Sequence, residues 1–198
     1  MQERRPVALE AGRDPVLRLC CVWRHDRYAH AITRIDRQLA APLLASIEGN
    51  PTQHWPSSPP LQSLTRGGRA GSERRLLLVG MAAAGHWSVT IEVDARQALF
   101  VFDVACRLKD RPAWLGSRYR REGQGEEPAP AAAPGGVLAA GGGHGLGGAE
   151  LQCAALPLAG QLARVLVTPQ GFDVRPQCPP GPFPQTVRWR YRIGLWAA

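Results

Sequence analysis

The amino-acid sequence predicts an all-β protein: a single-domain antiparallel β-sandwich or partly closed β-barrel of about eight strands, with at most one short helix. Three observations lead to this fold class. Apolar residues recur with a two-residue period in several short runs, as in strands with one buried face. Glycine, proline, asparagine and aspartate separate these runs and favour turns. No segment has the length and pattern of a crossover helix, so a parallel βαβ sheet is not expected.

The clearest strand signals lie at the centre of the chain. Two alternating runs, residues 86–93 and 99–108, are joined by the polar residues 94–97. This pattern predicts a β-hairpin in which Val93 pairs with Ala98. One face of the hairpin is apolar, and we expect it to line the core. Its largest side chains are Trp87, Ile91, Phe100 and Phe102.

The first third of the chain is expected to begin with a second hairpin. Residues 1–14 carry charges without a pattern and predict a flexible N-terminus. Apolar and polar residues then alternate over residues 15–24, and a return strand fits residues 28–35. The two strands are separated by a short polar turn.

A short helix and a proline-rich loop are expected to follow. Residues 36–47 have a helical spacing of leucines, although Pro42 would restrict the helix to one or two turns. Residues 50–64 are rich in proline, which favours extended or turned backbone. Trp55 in this loop either packs onto the core or contacts a ligand or partner.

Residues 122–150 are of low complexity, dominated by glycine, alanine, proline and glutamate. Such a segment cannot bury enough apolar surface to offset its ordering entropy. We interpret it as a long disordered loop within one domain that spans residues 15–198. The strands predicted after it, ending with residues 186–196, are too few for a core of their own and should complete the same sheets.

The composition narrows the class of protein. The net charge is +8, and every one of the 24 basic residues except Lys109 is an arginine. The arginines are spread along the chain and accompany 22 glycines and 18 prolines, a composition typical of a GC-rich genome. A basic block for nucleic acid is not predicted. There is no apolar run of about 20 residues and no signal-peptide pattern, so we expect a soluble cytoplasmic protein with no membrane contact.

No cofactor and no metal are predicted. The five cysteines form no CxxC pair and no zinc-site spacing, and their odd number argues against a disulfide framework. None of the five histidines stands in an HxH, HxxxH or HExxH pattern. Residues 143–148 match GxGxxG literally, but they lack the strand, helix and acidic residue that a dinucleotide site requires.

A candidate catalytic trio is formed in the central hairpin by His86, Ser88 and Asp103. The predicted register puts Ser88 opposite Asp103 and His86 diagonal to it. Such neighbours lie about 4.5–5.5 Å and 7–8 Å apart at Cβ, within reach for a nucleophile, a base and an orienting acid. The alternative is an ordinary polar strand face, because Ser88 has no nucleophile elbow and no oxyanion-hole donor can be named.

Three arginines share one face of the last predicted strand: Arg188, Arg190 and Arg192. They are spaced roughly 6.6–6.8 Å apart along the strand and could contact a protein or a small anion. The alternative is a solvated face on which arginine discourages edge-to-edge pairing. Nucleic acid is not favoured, since Trp189 and Tyr191 should point to the opposite, buried face instead of stacking with bases.

These patterns predict a non-enzymatic protein that acts in binding or assembly. Its expected contact surfaces are the arginine face of the last strand and the loop around Trp55. The competing hypothesis is a hydrolase that uses His86, Ser88 and Asp103. Nucleic-acid or polyanion binding through the scattered arginines is a distant third.

Overall fold

The computed structural model describes residues 4–37, 39–67, 74–82, 85–94, 96–122 and 149–197. Within these ranges the chain forms thirteen β-strands and no helix, and a membrane-spanning helix is likewise absent from them. The strands pair into two antiparallel sheets that form a sandwich. The all-β prediction is therefore confirmed, with more strands than the sequence patterns indicated.

The first sheet has seven strands. In spatial order they are β1 (Val7–Ala11), β2 (Val16–Arg24), β3 (Arg27–Asp36), β4 (Leu39–Ser46), β9 (Ser117–Arg121), β12 (Gly171–Pro176) and β11 (Ala163–Thr168). The second sheet has six strands. In spatial order they are β10 (Ala149–Leu156), β13 (Gln185–Ala197), β8 (Leu99–Leu108), β7 (Gly85–Asp94), β6 (Arg75–Ala82) and β5 (Leu61–Gly67).

Strands from both ends of the chain share these sheets. Strand β9 pairs with β12 in the first sheet, and β8 pairs with β13 in the second. The C-terminal strands thus complete the sheets begun by the N-terminal ones, as predicted. Most of the predicted disordered loop, residues 123–148, lies outside the described residues, and so does the GxGxxG match.

The core lies between the sheets and is built from the inward half of each strand. Trp87, Ile91, Phe100 and Phe102 are at most 4% exposed, which confirms the predicted apolar face. Trp189 of β13 is also fully buried between the sheets. Burial of these large side chains supplies the main favourable term in folding, about 25 cal/mol for each Å² of apolar surface removed from water.

The predicted helix at residues 36–47 is wrong, because this segment forms strand β4. Leu44 is buried against the core, whereas Leu39 is 71% exposed, so the leucines do not share one helical face. Pro42 pairs with Thr33 beside an irregularity in the β3–β4 register, outside the part of β4 that pairs with β9. A proline is tolerated there because no second neighbour requires its missing N–H.

The flexible N-terminus predicted for residues 1–14 does not extend through β1. Strand β1 (Val7–Ala11) pairs with residues 17–21 of β2, and Leu9 and Ala11 are buried. The alternation of Val7, Leu9 and Ala11 with shorter or charged residues is a strand pattern in itself. Its shortness and the surrounding charges obscured it in the sequence.

Candidate functional site

The hairpin that holds the predicted catalytic trio is present, but its register differs from the prediction by two residues. Asp94 pairs with Leu99 and so belongs to strand β7. Its Oδ1 atom accepts hydrogen bonds from the backbone N–H groups of Arg96 at 2.9 Å and Gln97 at 3.2 Å, which close the turn. Because the shift is by two residues, each side chain keeps its face and changes its partner.

The trio therefore lies on one outer face without meeting. Ser88 faces Ala105, Asp103 faces Thr90 and His86 faces Arg107. Arg107, the partner of His86, lies four residues from Asp103 along β8. His86 and Asp103 are therefore about 13 Å apart along the strand direction. The Asp103 carboxylate is bound instead by Nη2 of Arg188, at 3.1 and 3.2 Å. This geometry lends the hydrolase hypothesis no support, and catalysis by the trio stays a prediction.

The arginine row of β13 lies on this same outer face. Arg188 is neutralised by Asp103, whereas the guanidinium group of Arg192 stacks over the Trp196 ring at 4.9 Å. The Nε atoms of Arg190 and Arg192 are buried and have no hydrogen-bond partner among the described residues. The neighbouring Trp189 and Tyr191 are buried on the inner side, as predicted. Because these two Nε atoms are enclosed by the protein, only the Nη groups of Arg190 and Arg192 can meet an outside partner.

Strand β6 presents an apolar row on the same face. Leu77, Val79 and Met81 are 46%, 44% and 52% exposed, while Leu76 and Leu78 on the inner side of the strand are buried. A strand that is apolar on both sides is typical of a sheet covered on both faces. No role was predicted for this row, although the uninterrupted apolar run of residues 76–79 is a signal that the sequence contains.

The two rows define what we call the basic–apolar face: Arg188, Arg190, Arg192, Leu77, Val79 and Met81. Strands β8 and β7 separate β13 from β6, so the rows lie roughly 14 Å apart. The two strands between the rows present eight side chains on this face, of which His86 and Arg107 are exposed and the others half-buried: His86, Ser88, Thr90, Glu92, Val101, Asp103, Ala105 and Arg107. The face therefore has a basic side, a mixed polar middle and an apolar side.

Trp55 lies away from this face. Its ring packs edge-on against Trp87 of the core at a centroid distance of 6.4 Å, and the His54 ring also meets it edge-on at 5.7 Å. The half-buried indole thus attaches the proline-rich loop to the core, which was one of its two predicted roles.

A line of polar side chains crosses the core between the sheets. His30 Nε2 lies 2.9 Å from the Tyr119 hydroxyl, which lies 2.7 Å from the Tyr191 hydroxyl. The Phe102 ring stacks on Tyr191 at 4.8 Å. Burial lowers the pKa of His30 to about 4, so its ring is neutral at pH 7. Burial also raises the pKa of both tyrosines.

Ser46 and Glu48 extend this line toward the connection between the sheets. Ser46 Oγ accepts a hydrogen bond from the His30 N–H at 2.8 Å and lies 3.0 Å from the His30 carbonyl oxygen. It also makes a short contact with Glu48 Oε1. Burial raises the pKa of Glu48 to about 7, against the opposing effects of Ser46 and Arg27. Sequence analysis missed this cluster, since its members come from four strands and one loop.

A second polar cluster lies on the outer face of the first sheet. The Trp114 ring is held between the guanidinium groups of Arg118 and Arg175, at 4.2 and 4.3 Å. Both arginines donate to Asp173, each with a bond of 2.8 Å. Burial opposes ionisation of Asp173, but the arginine hydrogen bonds outweigh it and hold its pKa below the ordinary value. We interpret this cluster as structural, because its charges are paired internally.

Replacing Asp173 by asparagine should lower the free energy of unfolding by about 2 kcal/mol, since the buried carboxylate loses its charge in three hydrogen bonds from Arg118 and Arg175. The Arg118 and Arg175 side chains are 36% and 45% exposed, which screens part of the interaction. The matched control is Glu10→Gln, which removes a surface ion pair with Arg18 and should cost less than about 0.5 kcal/mol. Equal losses in urea denaturation would contradict the structural role of Asp173.

A cleft of about 270 Å³ lies beside the loop that leads to β13. It is lined by Arg111, Cys178, Pro179, Pro180, Gly181 and Phe183. The Cys178 thiol accepts a hydrogen bond from Gln185 Nε2 at 3.3 Å. None of the predicted site residues lines this cleft, and its lining includes no acid–base pair, so it adds nothing to the hydrolase hypothesis.

No family model, curated protein or solved structure matches this chain. The class of protein is therefore defined by its own geometry, as a two-sheet β-sandwich with a basic–apolar outer face. No group of three or more potential metal ligands occurs in the described part of the chain. The chemistry that this geometry supports is recognition of acceptor groups by arginine together with burial of apolar side chains.

Proposed function

We propose that this protein is a non-enzymatic binding domain whose basic–apolar face docks an acidic protein. The observation that carries the proposal is the exposed apolar row of β6, which shares its outer face with Arg190 and Arg192 of β13, three strand positions away in the sheet. Contiguous apolar surface on a soluble domain commonly marks an interaction site. A partner that covered Leu77, Val79 and Met81 would bury the outer side of β6, whose inner side is already buried. Burial on both sides is what a strand that is apolar on both sides is suited to.

The charges indicate the kind of partner. Arg188 is paired with Asp103, and Arg75 of β6 is paired with Glu92 at 3.6 Å. Arg190 and Arg192 remain as the basic side of the face, on a chain with a net charge of +8. A partner with carboxylates opposite these two arginines would form charge-assisted hydrogen bonds and would associate faster.

A protein fits this face better than a nucleic acid does. Single-stranded nucleic acid is usually bound by exposed aromatic rings among basic residues, whereas Trp189 and Tyr191 are buried beneath the arginine row. Phosphate backbones also gain nothing from contact with an apolar row. Acidic segments that contain apolar residues match both sides of the face.

Reversing both charges, in the double variant R190E and R192E, should weaken binding of an acidic polypeptide at least about tenfold. The probe is a random copolymer of glutamate and tyrosine, titrated by fluorescence anisotropy at fixed salt. The matched control reverses Arg24 and Arg164, two exposed arginines of the first sheet, with the same change in net charge. This control should bind as the wild type does.

Two further probes separate the apolar and nucleic-acid contributions. The double variant L77S and M81S should weaken binding of the copolymer but leave binding of plain polyglutamate unchanged. Equal binding by the charge-reversed protein and its control would refute the proposal. Tighter binding of duplex DNA than of the copolymer at the same salt would also refute it, and would assign the face to nucleic acid.

A further inference from the structure

The Ser46 hydroxyl has one proton and three polar neighbours. The His30 N–H donates to it, so its own proton can serve either the His30 carbonyl oxygen or Glu48 Oε1. All three contacts are satisfied together only when the Glu48 carboxyl is protonated and donates to Ser46. The second carboxyl oxygen, Oε2, is buried without a partner in the described part of the chain. A neutral carbonyl oxygen tolerates that position far better than a carboxylate oxygen does.

The groups that face the Glu48 carboxyl come from five other elements. They are Cys21 of β2, Asp26 of the β2–β3 turn, Arg27 and (through Ser46) His30 of β3, Tyr119 of β9 and Tyr191 of β13. Arg27 is the cation among them, and Asp26 already binds its Nε and Nη2 atoms at 2.8 Å each. Its Nη1 and Nη2 atoms also donate to the carbonyl oxygens of Glu48 and Asn50, at 3.2 and 3.4 Å, so Arg27 is a second attachment of the turn. An ionised Glu48 would therefore compete with Asp26 for Arg27 and would lack full compensation inside the protein.

We infer that Glu48 is a proton-controlled latch: its neutral carboxyl holds the turn of residues 48–54 against the sandwich, and its ionised form leaves the interior together with that turn. The inference does not depend on the basic–apolar face, which lies on the outer side of the other sheet. It rests on the single proton of Ser46 and on the buried, unpartnered oxygen of Glu48.

The local structure suits a turn that moves as a unit. The backbone N–H of Gln53 donates to the Asn50 carbonyl oxygen at 3.2 Å, and Gln53 Oε1 accepts from the Asn50 N–H at 3.2 Å. Gly49 has a φ of +75°, a left-handed conformation that favours glycine at the start of the turn. Beyond the turn, the chain is anchored, because Ser58 Oγ accepts a hydrogen bond from the Arg118 N–H at 3.1 Å.

Two measurements on the full chain test the latch. Carbon-13 NMR of the Glu48 carboxyl, assigned by its absence in E48Q, should show one titration near pH 7, the value to which burial raises its pKa. Hydrogen exchange of a peptide covering residues 47–54 should then be compared between wild type and E48Q at each pH, which cancels the intrinsic pH dependence of exchange. We expect the ratio of the two rates to rise about tenfold between pH 6 and pH 8.5.

Each contrary result would overturn the inference. A Glu48 carboxyl that titrates at an ordinary acidic pH is already solvated and cannot act as a latch. Titration near pH 7 with a constant exchange ratio would show that the turn does not follow the proton. The carboxyl titration is measured on the unmodified protein and stays informative even if E48Q is poorly folded. If E48Q is poorly folded, the S46A variant takes its place in the exchange comparison, because it removes the hydroxyl but keeps the carboxyl. Hydrogen exchange of residues 47–54 in S46A should already be faster than in the wild type at pH 6.

Discussion

Replacing Phe102 by alanine should lower the free energy of unfolding by about 3–5 kcal/mol, because it opens a cavity at the centre of the sandwich. Phe102 is 1% exposed. Its ring stacks on Tyr191 at 4.8 Å and meets Tyr119 edge-on at 6.4 Å. The substitution removes both aromatic contacts as well as the buried area. Urea denaturation at pH 7 with an unchanged m-value measures the loss.

The adjacent residue is the matched control for this experiment. Val101 belongs to the same strand but points to the outer face and is half-buried. Val101→Ala should therefore cost less than about 1 kcal/mol. Comparable losses for Phe102→Ala and Val101→Ala would mean that β8 does not place these two residues on opposite faces.

Glu48→Gln and His30→Gln should give stability profiles that slope in opposite directions with pH. Burial raises the pKa of Glu48 from 4.5 to about 7 and lowers that of His30 from 6.5 to about 4. The folded protein thus holds the Glu48 proton more tightly than the unfolded chain, and its contribution is lost as the pH rises from 4.5 to 7. The folded protein holds a proton on His30 less tightly than the unfolded chain does. The contribution of neutral His30 to stability is therefore lost as the pH falls from 6.5 to 4.

In Glu48→Gln only the His30 effect remains, and stability should rise by about 3 kcal/mol between pH 4 and 6.5. In His30→Gln only the Glu48 effect remains, and stability should fall by about 3 kcal/mol between pH 4.5 and 7. The wild type should be flatter than either variant, because the two effects oppose each other. Asp26 and Asp173 have lowered pKa values and act at more acidic pH in all three proteins. Urea denaturation across this range that gives both variants slopes of the same sign would disprove the assignment.

Residue alternation was sufficient to predict the long strands and their faces. Trp189 and Tyr191 are buried while Arg188 lies outside, as the period of two in β13 requires. That period depends only on the local geometry of an extended backbone, so it can be recognised without knowing the neighbouring strands. The buried face of the central hairpin was predictable for the same reason.

Local patterns failed where two local interpretations competed. The leucines of residues 36–47 fit a short helix as well as a strand, and pairing with β3 and β9 decided for the strand. At the central turn, the side chain of Asp94 binds two backbone N–H groups and lengthens β7. An aspartate two residues before a turn amide is a recognisable signal, and here it accompanies the register that keeps His86, Ser88 and Asp103 apart.

By itself, then, the sequence determined the all-β class, the strand faces and the outward position of the arginine row, because these follow from periodicity within single segments. Only the tertiary structure decided which strands are neighbours. It placed the apolar row of β6 on the same outer face as the arginines of β13, and it joined His30, Ser46, Glu48, Tyr119 and Tyr191 in one line of polar contacts. These residues are far apart along the chain, and what joins them is the packing of two sheets, which no local pattern records.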